Sequence, residues 1–165
     1  MLLSQHAIVG SVVAVATGNP VLGFCAALAS HHLLDMVPHF DGAVEKKENG
    51  RHCEKKDEDW PRSTYILAYV DVLVTILIIG YLALRSDSMI LVISGAIGGS
   101  LLDILDNVPW WKDRFRTTVI GRVWHTWHER LHYHWHNAHI YQIILAGLLQ
   151  ISITLGGILW VLSRG

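Results

Sequence analysis

Five apolar runs, residues 2–18, 20–37, 64–84, 88–106 and 138–162, occupy most of this chain. A helix needs about 20 mainly apolar residues to cross a bilayer, and each run meets or nearly meets that length. Only 16% of the 165 residues are charged, against roughly a quarter in soluble domains. The expected fold is therefore all-α: a single integral membrane domain over residues 1–165, a bundle of about five helices at 2–18, 20–37, 64–84, 88–106 and 123–162.

Punctuation between the runs supports this division. Thr17-Gly18-Asn19-Pro20 combines a C-cap glycine with a proline suited to a first helical turn, which predicts a tight hairpin. Pro38 disfavours helix in the residue before it, so the second helix is expected to stop near Val37. Residues 41–62 alternate Lys with Glu and Asp and carry little apolar surface, which predicts a charged, solvated cytoplasmic loop. The first run has no basic flank and no small-residue cleavage site, and it contains His6, so it reads as a retained helix. Cys25 and Cys53 fall in an apolar helix and a charged loop, which argues against a disulfide.

Net charge is −1, which excludes general nucleic-acid binding. The placement of the cations is more informative. Lys46, Lys47, Arg51, Lys55, Lys56 and Arg62 lie between the second and third runs, and Lys112, Arg114, Arg116, Arg122 and Arg130 between the fourth and fifth. Only Arg85 and Arg164 remain for the opposite side, so the positive-inside rule places both long loops and the N-terminus in the cytoplasm and the C-terminus outside.

The third and fourth runs resemble a second copy of the first two. Leu33-Leu34-Asp35-Met36-Val37-Pro38 aligns with Leu101-Leu102-Asp103-Ile104-Leu105-Asp106-Asn107-Val108-Pro109 after a two-residue insertion, which pairs Asp35 with Asp103 and His6 with Asp71. In the last helix His125, His128, His132, His136 and His139 are spaced by 3, 4, 4 and 3, predicting one imidazole stripe on a helix that runs through the interface. Trp60, Trp110, Trp111, Trp124, Trp127 and Trp135 fall at the same inferred boundary, as an aromatic belt does.

Together these readings bring His6, His31, His32, Asp35, His39, Asp103, Asp106, His125, His128 and His132 to one membrane face. Ionisable groups beside hydrocarbon are costly and mark function by default. Imidazole with carboxylate suits a borderline divalent ion, zinc or manganese first, as one or two ions. The expected metal ligands are His6, His31, Asp35, His39, Asp71 and Asp103, with His128 and His132 as the catalytic histidines, either completing the shell or acting as general acid.

The segment Gln5-His6-Ala7-Ile8-Val9-Gly10 and the cluster Asp35-Met36-Val37-Pro38-His39 resemble the YdjM-like family of bacterial membrane-bound metal-dependent hydrolases, over residues 1–41. That family's Asp-Ile-Asp-His string is replaced here, and its His-Arg-Gly and Thr-His-Ser motifs are not found, so the resemblance carries over to His6, Asp35 and His39 alone. It implies a multi-pass protein of the bacterial inner membrane with hydrolase activity. The expected function is hydrolysis of a phosphoric ester of a lipid or lipid-linked substrate at the cytoplasmic face, with the bilayer as partner. The alternatives are a metal-ion or proton transporter, whose site would lie nearer the midplane, and a bis-histidine haem protein.

Overall fold

The computed structural model describes residues 1–39, 62–108, 110–133 and 139–164. Among them all regular structure is helical: α1 (Leu3–Thr17), α2 (Pro20–Asp35), α3 (Arg62–Arg85), α4 (Met89–Asn107), α5 (Lys112–Thr117), α6 (Val119–Leu131) and α7 (Ile140–Leu162). The charged loop expected at 41–62 lies, except for Arg62, outside the described residues, as do Cys53, Trp60, Trp135 and His136.

The predicted hairpin forms as the sequence dictates. Gly18 adopts φ +65°, and its N–H donates to Ala14 O and Val15 O, closing α1. Asn19 then caps α2, its Oδ1 accepting from the amides of Val21 and Leu22 at 3.0 Å each, with Pro20 in the first turn. Such a cap contributes about 1 kcal/mol.

The helices α1, α2 and α4 make up the interior, and close approach is built into their small residues. A Cβ on Gly95 would strike the Gly10 carbonyl, one on Gly99 the His6 carbonyl, and one on Gly98 the Phe24 carbonyl at 2.5 Å. Backbone therefore packs on backbone, the arrangement small residues permit between membrane helices. Buried polar bonds add direction: Ser11 Oγ donates to Val92 O at 2.9 Å, and Gln150 Nε2 of α7 donates to Gln5 Oε1 of α1 at 2.9 Å. At the hairpin end, Leu82, Ala83, Val92 and Val161 form an apolar plug joining α3, α4 and α7.

Three helices, α3 from Thr64, α4 and α7, are long and apolar enough to cross a membrane. Helices α3 and α7 turn Leu73, Ile76, Leu77, Leu84, Leu145, Leu148 and Leu159 outward, a surface suited to lipid. The remaining two expected segments are shorter than anticipated. With 15 and 16 residues, α1 and α2 reach about 22–24 Å at the helical rise, less than the roughly 30 Å hydrocarbon core.

The single helix expected over 123–162 is instead two. Helix α6 ends at Leu131, His132 is extended (φ −67°, ψ 131°), and α7 starts after an extended His139. A tertiary bond competes for the backbone at the end of α6: the Tyr133 N–H donates to the Asp35 carbonyl at 2.7 Å. That bond satisfies a carbonyl left open at the end of α2 and holds Tyr133 against it. The five-histidine stripe is thereby broken, with His125 and His128 on α6 and His132 beyond its end.

Candidate metal centre

Each contributing helix places its ionisable groups within about one turn of the same end of the bundle. His6 comes from the first turns of α1, His31 and Asp35 from the last turn of α2, Asp103 and Asp106 from the last turn of α4, and His128 from the end of α6. His31 and Asp35 share a face because they are four residues apart. The glycine contacts described above bring α1 and α4 close enough for His6 and Asp103 to meet.

Asp35 is at the centre. Its Oδ1 lies 3.1 Å from His6 Nε2, and its Oδ2 lies 3.0 Å from His31 Nε2 and 3.3 Å from His128 Nε2. The Asp103 oxygens stand slightly farther from the same three nitrogens, at 3.7, 3.8 and 3.9 Å. Ions bound at about 2.0–2.2 Å hold neighbouring ligand atoms about 3.0–3.5 Å apart, so the Asp35 separations match a single coordination sphere, whereas Asp103 stands a few tenths of an ångström too far and would have to draw in to join it. The imidazoles of His6 and His31 stack with centroids 4.0 Å apart. His6, His31 and Asp35 are fully buried, whereas the Asp103 side chain keeps 16% exposure and opens the cluster on one side.

Hydrogen bonding favours a cation over a proton network. Despite these short distances, His6 Nε2, His31 Nε2 and Asp35 Oδ2 have no aligned hydrogen-bond partner among the described residues. Buried polar atoms are rarely left so, and each one calls for an explanation. Three converging, buried and unpartnered ligand atoms fit a divalent ion at their common centre.

The outer nitrogens of His31 and His128 are fixed in the manner metal-binding histidines require, whereas His6 Nδ1 is buried without an aligned partner among the described residues. His31 Nδ1 donates to the Gly99 carbonyl at 2.8 Å, which leaves Nε2 with its lone pair facing Asp35 and Asp103. His128 Nδ1 lies 3.1 Å from Asp106 Oδ2, giving the carboxylate–histidine order that turns Nε2 inward. Asp106 is held in turn by His125 Nδ1 at 2.8 Å and by Arg116, whose Nε donates at 2.8 Å to Oδ1 and whose Nη2 donates at 2.7 Å to the main-chain carbonyl. Burial disfavours charge on His128, but its contacts with Asp106 and Asp35 and the nearby Asp103 charge outweigh that and push it up to about 10.

A second group adjoins the first through Asp35. His39 Nε2 lies 3.3 Å from His132 Nε2, and His39 Nδ1 lies 2.7 Å from the Val37 carbonyl. These two histidines and Asp35 also form a group with metal-ligand spacing. The Met1 amino group stands between them, 3.1 Å from Asp35 Oδ1 and 2.7 Å from His39 Nε2. Burial, with help from that amino group, holds His132 down to about 2, so its imidazole is neutral and carries a lone pair.

Of the residues expected from sequence, His6, His31, Asp35, Asp103 and His128 meet in the first group, and His39 and His132 in the second. Asp71 does not join them. Its Oδ2 accepts from the Leu3 amide at 2.6 Å and lies 3.4 Å from that of Ser4, so this α3 carboxylate caps the N-terminus of α1. The dipole at a helix start rewards a carboxylate placed there, which explains a buried acid without an ion. Of the two pairs matched in the repeat alignment, Asp35 and Asp103 thus share the cluster, whereas Asp71 does not join His6 there. Sequence reasoning placed Asp106 at the right face without a role. Its signal was the three-residue spacing from Asp103, which puts both carboxylates near one side of α4.

No family model, no curated protein and no solved structure matches this chain. The resemblance to the YdjM-like hydrolases rests on the residues of segment 1–41 alone.

Proposed function

We propose that the protein is a membrane-bound, metal-dependent hydrolase that cleaves a phosphoric ester of a lipid or lipid-linked substrate at one membrane face. The observation that carries the reading is the convergence of three imidazole nitrogens on the buried Asp35 carboxylate, whose Oδ2 has no aligned hydrogen-bond partner among the described residues while Oδ1 faces the Met1 amino group. His6, His31, His128, Asp35 and Asp103 would hold the ion, zinc or manganese by the donor set, and His39 and His132 would hold a second beside the first. A bound divalent ion supplies Lewis acidity and brings the pKa of coordinated water toward neutrality.

The protein's own groups account for the rest. Asp106 and the Gly99 carbonyl orient the ligand imidazoles. His132, neutral and next to Asp35, would offer its lone pair to an ion; held down to about 2, it binds a proton too weakly to act as a base at neutral pH. The partly open Asp103 side gives access. A site within a turn of the helix ends suits chemistry at the surface better than transport, which favours the midplane. By the cation distribution this face is cytoplasmic, and by the resemblance the membrane is a bacterial inner membrane.

The test is elemental analysis of detergent-purified wild type beside Asp35→Ala and Asp103→Ala, joined to turnover on a panel of phospholipid and phosphoester substrates. Stoichiometric metal in wild type, its loss in Asp35→Ala and metal-dependent turnover are expected. Equal metal content in all three proteins, or metal without turnover on any phosphoester, defeats the proposal.

A further inference from the structure

An apolar groove of about 500 Å³ runs between α2 and α6, walled by Leu28 and Ala29 on one side and Val123, Trp127 and Leu131 on the other. Its volume lies within the roughly 300–1,000 Å³ of small-molecule sites. Where His32 and Trp124 meet, with ring centroids 5.4 Å apart, the groove abuts the metal centre: the His32 ring is 5.7 Å from that of His31 and 6.4 Å from that of His128. From this juxtaposition we infer that the α2/α6 groove seats the hydrocarbon chain of a phosphate-bearing membrane lipid and delivers its headgroup to the metal centre.

Two features argue for lipid as the occupant. Helix α6 exposes Val119, Ile120, Val123 and Trp127 on its outer side, at 54–73%, and Trp110 beyond it is also open. This apolar stripe with a tryptophan suits a helix lying at the acyl boundary, where a lipid chain is the neighbouring material. Arg122 lines the neighbouring recess that shares Val123 and Trp127 with the groove, a cation beside the apolar stripe of the kind that suits an anionic lipid surface. The inference rests on the metal-centre reading for its direction, but the seating of the chain can be tested separately.

The experiment uses full-length protein in phosphatidylethanolamine–phosphatidylglycerol vesicles doped with a phosphatidylglycerol that carries a photoreactive diazirine in its acyl chain. Adducts are mapped by mass spectrometry, and bound zinc is measured in parallel. Adducts are expected on the α2 segment around Ala29 and on α6 between Val123 and Leu131. Ala29→Trp and Val123→Trp, both on exposed groove positions, should each reduce these adducts several-fold while leaving zinc content and α7 labelling unchanged. Asp103→Ala should retain the adducts. Adducts confined to α3 and α7, or groove adducts insensitive to both tryptophan variants, overturn the inference. So does efficient crosslinking of Cys25 between two copies with the groove unlabelled, since a second copy is then the occupant. Groove adducts in a wild type that binds no zinc uphold the lipid seat and defeat the metal reading instead.

Discussion

Replacing Asp106 with Asn tests whether the carboxylate behind His128 sets that ligand's protonation. Asp106 is 1% exposed and receives three donors: His125 and His128 on Oδ2, Arg116 on Oδ1. An asparagine that keeps its oxygen toward Arg116 presents its NH₂ to both imidazoles, so a donor faces Nδ1–H of His128. The ring relieves that clash by carrying its proton on Nε2, the atom 3.3 Å from Asp35 Oδ2, and so loses the inward lone pair. Loss of an outer partner of this kind weakens metal binding about 10–100-fold, or about 1.4–2.7 kcal/mol at 1.36 kcal/mol per decade. The assay is zinc competition against a calibrated chelator in detergent at pH 7.5, with thermal unfolding followed by circular dichroism to confirm that the variant is folded. Arg116→Gln is the control, because it removes a cation from Asp106 without reversing the donor at His128; its affinity should fall less than about threefold on this tautomer argument. A folded Asp106→Asn protein with wild-type zinc affinity, or equal losses in both variants, refutes the reasoning.

The other outcomes concern the remaining parts of the arrangement. Asp71→Ala should leave metal content unchanged and lower stability by about 1–2 kcal/mol through the lost cap on α1, read by denaturant unfolding in detergent; loss of metal would return Asp71 to the site. Gly99→Ala drives a methyl into the His6 carbonyl and should cost about 1–3 kcal/mol by overpacking, with a parallel fall in zinc affinity because His6 and the Gly99 carbonyl both move; an unchanged melting temperature would contradict the packing. For pH, His128 is raised to about 10 from 6.5, so the metal-free fold draws stability from its protonated form below about 6.5 and loses it as pH climbs through about 10. Zinc must displace that proton, so apparent affinity should rise by about tenfold per pH unit between 7 and 9, measured by the same chelator competition. An affinity flat with pH over that range would mean that His128 is not a ligand.

Much of this arrangement is legible in the chain because one-dimensional rules govern it. Gly18, Asn19 and Pro20 specify the first hairpin through caps that involve only neighbours, and His31 with Asp35 needs only helical spacing. The cation asymmetry predicts that the acids and histidines gather at one end, and the described helices bring them together there. What failed depends on partners distant in sequence. Asp71 looked like a ligand because a lone acid in an apolar helix is costly, but its partner is the backbone of Leu3 and Ser4, which no spacing reveals. The imidazole stripe looked continuous because its period is helical, yet the Tyr133 to Asp35 backbone bond ends the helix. Asp106 gained its role only when α5 and α6 brought Arg116, His125 and His128 to it.

The cap that Asp71 places on α1 bears on how the protein enters the bilayer. With 15 and 16 residues, the first hairpin is too short to be held well by hydrocarbon alone, and the open amides at the start of α1 would face a poorly solvating environment. Their acceptor lies on α3, and the glycine face that α1 and α2 pack against lies on α4, both synthesised afterwards. In a bilayer, the hairpin carrying His6, His31 and Asp35 would therefore depend on the second pair of helices to hold it in place. A chain truncated before α3 should then leave its first hairpin unanchored.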